Sequence, residues 1–555
     1  MQRSLYNLSK KTTCFTYRFV FLSAPSHYKN HYFYPAENHR MNKLSLSLAV
    51  ISGLLVGISA MELNIWLVWI GLAPLLIAIH GKSPKQVLVL GLVAGYVFGI
   101  VQLMWMPQVL ARYAGASLFA GIAGVMLLAL STALWFAAPF ILFALIRGKY
   151  SSKWFGQWWI NAMTFSSLFF LVECLHIQVL PGMVWDKFYL ACAISPSKYM
   201  IQLAPITGAL GIGLLIAMVN YLVAEAVIRK KGLFWGIGLA LFVFNLLYGA
   251  ARLHLGGSEK NGLAHSVGLV CENVHAETRW TESGDRIIST MLRLVDESRR
   301  YNPELLVWSE TALPWTYQEN DDILLALAEI LRQSNASTQN IIGYQTAADG
   351  GYVYNSAYLI DADGSAAGRY DKTTLLSLFE EPLMRARTST AIPMLTRGSF
   401  DHVLRGRGNT YLPTHIGNAL VMICNESLLP NYSRLKGEPP AFLVNISNDA
   451  WFENTQGISQ HFYIARLRAV EYNKDMIINS NRGVSGIVSR LGEVQTMSQS
   501  DRPELIIGTI RPNQKASFFA RFPFFFPALA LLWLAGYFLF IHLGLKKHQQ
   551  GRPAN

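Results

Sequence analysis

Three side chains stand where layered α/β folds tend to put their chemistry. Glu310 follows the apolar run Leu305-Leu306-Val307-Trp308-Ser309, and Lys372 follows Arg369-Tyr370-Asp371. Cys424 closes Ala419-Leu420-Val421-Met422-Ile423 and is followed by Asn425-Glu426-Ser427. Loops at strand ends seat reactive groups well because a rigid sheet holds them. A thiol, a carboxylate and an ammonium suffice for acyl transfer. The sulfur attacks a carbonyl, the carboxylate carries protons, and the ammonium stabilises the tetrahedral oxyanion. An adjacent lysine also favours the thiolate. Residue type alone does not select this set, because a cysteine ending an apolar strand is by default a packing residue.

The cysteines as a set narrow the chemistry. Cys14, Cys174, Cys192, Cys271 and Cys424 are far apart, odd in number and form no CxxC pair. They indicate neither a disulfide framework nor a zinc site.

The elements that must position the three groups lie between residues 262 and 515, where charged residues become frequent and short apolar runs alternate with helical patterns. Strands are expected at Ser266–Cys271, Leu305–Trp308, Asn340–Gly343, Ser356–Ile360, Ala419–Cys424, Phe442–Ile446, Met476–Ser480 and Gly486–Val488. Helices are expected at Arg286–Arg300, Asp322–Ser334 and Gln460–Tyr472. The alternation implies a layered α/β or α+β domain, and the uniformly apolar strands imply a sheet buried on both faces.

Around this domain the chain is a membrane protein. Apolar residues make up 52% of it, more than one soluble domain requires. A helix needs about 20 apolar residues to cross the hydrocarbon core. Eight such stretches are expected, near 44–60, 63–79, 87–107, 117–146, 157–180, 201–228, 233–250 and 522–545, with seven as the alternative if the first two merge. The net charge of +13 is placed beside these spans, which favours a membrane over nucleic acid. Lys82 and Lys85, Arg147, Lys149 and Lys153, Arg229, Lys230 and Lys231, and Lys546, Lys547 and Arg552 fall on one side. The opposite short loops hold only Arg112, Lys187 and Lys198. Positive loops stay cytoplasmic, so both termini are expected inside and the 262–515 domain outside. Residues 1–40 read as an extension of little structural content, with Met41 as the working start. Residues 41–255 form the bundle, 522–545 the last span and 546–555 a cytoplasmic tail. Glu173 and His176, three residues apart in one span, share a helix face. They fit a lipid or substrate path and a structural polar pair equally well.

The local wording then selects the triad. Trp308-Ser309-Glu310-Thr311-Ala312-Leu313-Pro314, Tyr370-Asp371-Lys372 and Ile423-Cys424-Asn425-Glu426 resemble the glutamate, lysine and cysteine motifs of the bacterial apolipoprotein N-acyltransferases, membrane members of the nitrilase superfamily. Asn445-Ile446-Ser447-Asn448-Asp449-Ala450-Trp451-Phe452 is similar to the family's segment after the cysteine, and Gln460-His461, Ala465-Arg466, Arg468-Ala469 and Glu471 continue the match. The resemblance implies an α-β-β-α nitrilase-like sandwich outside the membrane on a polytopic bundle of about eight helices. It implies a ping-pong reaction in which Cys424 takes an acyl chain from a phospholipid and passes it to the α-amino group of a diacylglyceryl-cysteine on an apolipoprotein. Glu310 would be the base and Lys372 the oxyanion partner. Trp280, Asn355, Glu380 and Glu426 fall on family positions associated with substrate or with bracing the site. Trp315 and Phe379 read as core or interfacial aromatics. No metal and no cofactor are implied; the protein is expected to be a monomer in a bacterial inner membrane with its catalytic domain in the periplasm.

The chain departs from the family's usual wording at four places. Thr373–Glu381 replaces a His, Pro and Gly-Glu-Tyr pattern, and Asn425 stands where an aromatic is usual. Glu272–Ala276 lacks Gly-Asn-x-Pro-Gln, and Ile478–Gly483 lacks Arg-Ala-x-Asn-x-Gly. These changes bear on lid loops and on acyl or amine specificity. Two other functions remain open on sequence alone: a membrane-tethered amidohydrolase in which water resolves the thioester, and a non-catalytic paralogue that binds lipoproteins or lipid.

Overall fold

The structure, a computed structural model, describes residues 42–113, 117–149, 158–256, 262–276, 280–333, 337–377, 380–381, 403–408, 411–430, 439–498 and 502–550. The expected extension over 1–40, Phe379, the side chain of Trp280 and the end of the tail lie outside the described residues.

The chain first runs through α1 (Lys43–Met61), α2 (Ala73–Ala78), α3 (Pro84–Gln102), α4 (Met106–Tyr113), α5 (Leu118–Lys149), α6 (Trp158–Gln178), α7 (Ala204–Arg229) and α8 (Gly232–Gly256). Among the described residues, α1, α3, α5, α6, α7 and α8 are long and apolar enough to cross a membrane. The span expected at 63–79 is instead a 3-10 turn, Leu67–Trp69, followed by the six-residue α2. Asn64 Oδ1 accepts the N–H groups of Trp66 (3.1 Å) and Leu67 (3.2 Å), which starts a tight turn, and Pro74 opens α2. Hydropathy measures apolarity, not continuity. The stretch expected at 87–107 likewise stops at Gln102 and restarts as the short amphipathic α4.

Within the bundle α3 lies close against α5. A Cβ on Gly95 would come within 2.8 Å of Ala133 Cα, so this approach requires glycine. Glu173 and His176 are not partners of one another. Glu173 Oε1 accepts the Leu190 N–H at 2.9 Å, while His176 stacks on Trp135 and lies 3.6 Å from Asp186. Each ties α6 to the segment that follows it.

The outer domain runs β1 (His265–Cys271), α9 (Trp280–Ser298), β2 (Leu305–Val307), α10 (Asp322–Arg332), β3 (Gln339–Ala347), β4 (Val353–Ile360), β5 (Ala366–Asp371), β6 (Val403–Leu404), β7 (Leu412–Thr414), β8 (Gly417–Ile423), β9 (Phe442–Asn448), α11 (Gln456–Tyr472), β10 (Met476–Asn481), β11 (Gly486–Val488), β12 (Val494–Met497) and β13 (Glu504–Ile510). One sheet has the order β13-β1-β2-β3-β4-β5, with β6 beside β4; the other is β12-β11-β10-β9-β8-β7. Strands β1, β2 and β3 are mutually parallel, as are β8, β9 and β10, and the remaining neighbours on each main path are antiparallel.

Side-chain alternation builds the layers. On β8, Ala419, Val421 and Ile423 point into the core between the sheets, meeting Val267, Leu305 and Ile341. Leu420 and Met422 point the other way, onto Phe462, Ala465 and Ala469 of α11. The first sheet's outer face, with Leu306, Trp308 and Ile342, packs on Met291 of α9 and Leu324 of α10. The order is therefore α-β-β-α, each sheet covered on both faces. The chain then passes α12 (Phe518–Arg521) into α13 (Phe525–Gln550).

Helix α11 is also the seam with the bundle. Glu471 accepts the Ala209 N–H at 2.6 Å, Arg468 pairs with Glu471 at 3.1 Å and donates to the Tyr189 hydroxyl at 3.0 Å, and Gln460 donates to the carbonyls of Ala60 and Met61 at 3.1 Å. Arg468 and Glu471 are fully buried.

Candidate active site

Glu310 sits three residues beyond β2, and β3 passes beneath it. A Cβ on Gly343 would come within 2.5 Å of Thr311 N and 2.9 Å of Glu310 Cα, so glycine permits the approach. Glu310 Oε1 accepts from Lys372 Nζ at 3.1 Å and from Asn355 Nδ2 at 2.8 Å; Oε2 accepts the Asn448 N–H at 3.0 Å. Lys372, just past β5, also donates to Glu380 Oε1 at 2.9 Å. Asn355 of β4 reaches Glu380 as well, at 3.2 Å, and so braces both carboxylates. Glu380 Oε2 is held in turn by the Leu376 N–H at 2.7 Å.

Cys424 lies one residue beyond β8, at the first position of a 3-10 turn running to Ser427. Its φ is 53°, in the left-handed region, which costs a non-glycine residue about 1–2 kcal/mol. The turn is held by its own carbonyl, which receives Ser427 Oγ (3.0 Å), His461 Nε2 (3.2 Å) and Asn445 Nδ2 (3.3 Å).

Glu310, Lys372, Glu380, Asn355 and Cys424 line one cavity of about 130 Å³. Its opposite wall is apolar: Met106, Val109 and Leu110 from α4, with Trp185 and Phe452. Trp105, Trp185 and Phe452 stack edge to face at 5.0 to 5.9 Å and join that wall to the bundle. The cavity thus has a charged floor from the sandwich and an apolar side from the membrane part.

Electrostatics assign resting states. Burial works against the Lys372 ammonium, but the Glu310 and Glu380 carboxylates outweigh it and hold its pKa well above the ordinary lysine value. Burial, reinforced by the Glu310 charge and only partly opposed by Lys372, pushes the Cys424 thiol well above its ordinary value. Both influences favour the thiol form of Cys424, so a nucleophilic role for it would call for a base to take its proton.

Glu426 is not among the residues lining this cavity. Its carboxylate accepts from Tyr370 OH (2.9 Å to each oxygen), the Thr373 N–H (2.8 Å) and hydroxyl (2.6 Å), the Thr374 N–H (3.1 Å) and the Ile423 N–H (2.8 Å). It ties the lysine loop to the strand that ends in the cysteine. Burial raises its pKa to about 7 despite these donors. Trp280 begins α9, and its side chain is outside the described residues. Trp315 donates to Asp321 Oδ2 at 2.6 Å and packs on the α9–α10 side of the first sheet, as expected for a core aromatic.

The four departures in wording meet in pairs. Asn425 Nδ2 donates to the Thr374 carbonyl at 3.1 Å, joining the altered cysteine turn to the altered lysine loop. Asn481 and Val274 exchange hydrogen bonds at 2.7 and 2.8 Å, and Arg482 reaches Asn273 at 2.8 Å. Sequence reasoning missed the Asn448 N–H on Glu310, the contribution of α4 and Trp185, and the partners of His461. Asn448 and His461 both lie in stretches whose wording resembled the family, so the signal was local wording; nothing in the sequence marked α4. Among the described residues no group of three or more His, Cys, Asp or Glu is arranged to hold a metal ion.

Residues 52–222 match the apolipoprotein N-acyltransferase N-terminal domain, and residues 272–518 match carbon-nitrogen hydrolase. The apolipoprotein N-acyltransferase of Geobacter metallireducens is 26% identical over 86% of this chain and 91% of its own. That of Rickettsia prowazekii is 26% identical, covering 65% of this chain and 74% of its own. That of Rhizobium leguminosarum bv. trifolii is 30% identical, covering 59% and 63%.

Proposed function

The chain belongs to the apolipoprotein N-acyltransferase family, and from that premise we propose that it carries a phospholipid acyl chain on Cys424 and delivers it to the α-amino group of a diacylglyceryl-cysteine at the N-terminus of a lipoprotein. It is a multi-pass membrane protein and an acyltransferase of the carbon-nitrogen hydrolase superfamily. The domain over residues 262–515 faces the periplasm from an inner membrane, as the charge asymmetry of the loops argues. The observation that carries the reading is the convergence of Glu310, Lys372 and Cys424 on one cavity whose other wall belongs to the membrane part.

In the first half-reaction Glu310 takes the Cys424 proton as the sulfur attacks the ester carbonyl. The oxyanion forms beside the Lys372 ammonium, which remains charged throughout. Collapse breaks the C–O bond, and the leaving alkoxide takes the proton back from Glu310 to depart as lysophospholipid. In the second half-reaction the lipoprotein amine attacks the thioester, Glu310 accepts its proton, and the expelled sulfur is reprotonated. Glu380 and Asn355 keep Lys372 and Glu310 in place. Both substrates are lipid-anchored, so a site at the membrane surface meets them at raised effective concentration.

The test is to incubate purified protein with phospholipid labelled in its acyl chain and then add a diacylglyceryl-peptide. Label held by wild type but not by Cys424→Ala, and passed to the peptide amine, supports transfer. Release as free fatty acid supports the amidohydrolase type of reaction instead, and absence of Cys424-dependent label defeats both.

A further inference from the structure

His461 lies on α11, five residues into the helix, and is buried together with its partner Asp449. Its Nδ1 is 2.7 Å from Asp449 Oδ1, and its Nε2 is 3.2 Å from the carbonyl oxygen of Cys424. A carboxylate and a carbonyl accept, so a ring protonated on both nitrogens, an imidazolium, satisfies both partners, with Ser427 Oγ a further neighbour of Nε2 at 3.5 Å. Burial alone would lower the histidine's pKa, but Asp449 and the carbonyl raise it above the ordinary value. The other donors to that carbonyl, Ser427 and Asn445, are neutral. In a trans peptide the C=O and the following N–H point in opposite directions. Fixing the Cys424 carbonyl toward His461 therefore aims the Asn425 N–H away from it.

We propose that His461 is a positioning residue for the nucleophile: its imidazolium, anchored by Asp449, pins the Cys424 carbonyl, so that the left-handed turn presents Sγ to the cavity and the Asn425 N–H to the forming oxyanion. The inference rests on the acyl-transfer reading for its oxyanion half, while its effect on the sulfur can be measured without it. Asp449 follows β9 and His461 sits on α11, so the pin joins two elements to the residue that follows β8. On the bundle side His461 faces a small cavity that Lys187 also lines, and Lys187 is paired with Asp186 at 3.2 Å.

The experiment uses the full chain in detergent, comparing wild type, His461→Leu and His461→Gln. Alkylation of Cys424 by iodoacetamide is followed by mass spectrometry of the peptide that carries it. Single-turnover thioester formation is followed with acyl-labelled phospholipid. Loss of a charge-assisted hydrogen bond is expected to slow both reactions about 30-fold in His461→Leu, with the loss in kcat and KM for phospholipid changed by less than about twofold. His461→Gln returns a neutral donor to the carbonyl and is expected about threefold below wild type. Equal alkylation in wild type and His461→Leu overturns the proposal, as does a glutamine variant as slow as the leucine variant. Should the leucine variant not fold, a folded glutamine variant reacting at the wild-type rate overturns it. Wild type that alkylates at Cys424 but takes no acyl label defeats the acyl-transfer reading, and the alkylation comparison still decides the role of His461.

Discussion

The molecule buries ionic groups in two regions and does different things with them. At the seam, Arg468 and Glu471 are fully enclosed and their reach is spent on protein: on each other, on Tyr189 and on the Ala209 N–H. At the cavity, Glu310, Lys372 and Glu380 are as well paired, yet they line open space beside Cys424. Both regions meet the cost of burying charge by pairing it. Only the second keeps a vacant place within reach of its charges. A buried ion pair is therefore not itself a sign of chemistry; one that borders a cavity and a cysteine is a candidate for it.

If the contrast is right, mutations in the two regions should separate activity from stability. The largest effect is expected for Glu310→Gln, which keeps the shape but removes the base. Acylation of Cys424 should fall by about 10⁴-fold, read by single-turnover labelling, against a stability cost of only about 1–3 kcal/mol for the amide group that then faces the Asn448 N–H or Lys372. A variant retaining a tenth of the wild-type rate would break the assignment. At the seam the signature should invert. Arg468→Met leaves Glu471 buried without its partner and should cost about 3–5 kcal/mol in detergent unfolding. The double variant with Glu471→Gln should recover most of that stability and should acylate at a rate close to wild type per folded molecule.

Glu426 falls between the two regions, since it holds the site together without lining it. Glu426→Gln exchanges an acceptor for a donor opposite the Ile423 or Thr373 N–H and should cost about 1–3 kcal/mol. Its pKa is raised on folding, to about 7, so the folded state binds the proton more tightly than the unfolded one. Its contribution to stability should thus be complete below the unfolded value of about 4.3 and decline as pH rises towards 7. The glutamine variant should lose this slope. The smallest effect concerns the thiol itself. Because the Cys424 pKa is well above ordinary, its alkylation rate should still be climbing past the usual thiol midpoint of about 8.5. A plateau below that pH would show a preformed thiolate and remove the need for Glu310 as base.

The sandwich was largely legible in the sequence because its strands are buried on both faces. Gly486–Val488 and the core of β9 were read from apolar runs, since a doubly covered strand leaves little else to read. The three candidate residues, Glu310, Lys372 and Cys424, stood out as polar residues ending such runs, and it was the wording around them that singled them out. Other features lay beyond local pattern. β13 joins the first sheet through its register on β1, with Cys271 opposite Glu504, a pairing no local window contains. The broken stretch over 63–79 is as apolar as a span, and the turn is set by one asparagine and one proline. The apolar wall of the cavity comes from α4, hidden in what read as the end of a longer span. The Glu426 bonds and the His461 pin depend on loops meeting across the fold, which spacing along the chain does not encode.

Helix α11 touches the Cys424 carbonyl through His461 and the bundle through Gln460, Arg468 and Glu471. From His461 to Glu471 is about 15 Å of continuous helix. A stiff rod of that length transmits displacement rather than absorbing it. Moving the bundle where it meets Gln460 or Glu471 would therefore move His461 and its hydrogen bond to the Cys424 carbonyl. A soluble fragment cut free of its helices would lose a fulcrum as well as an anchor.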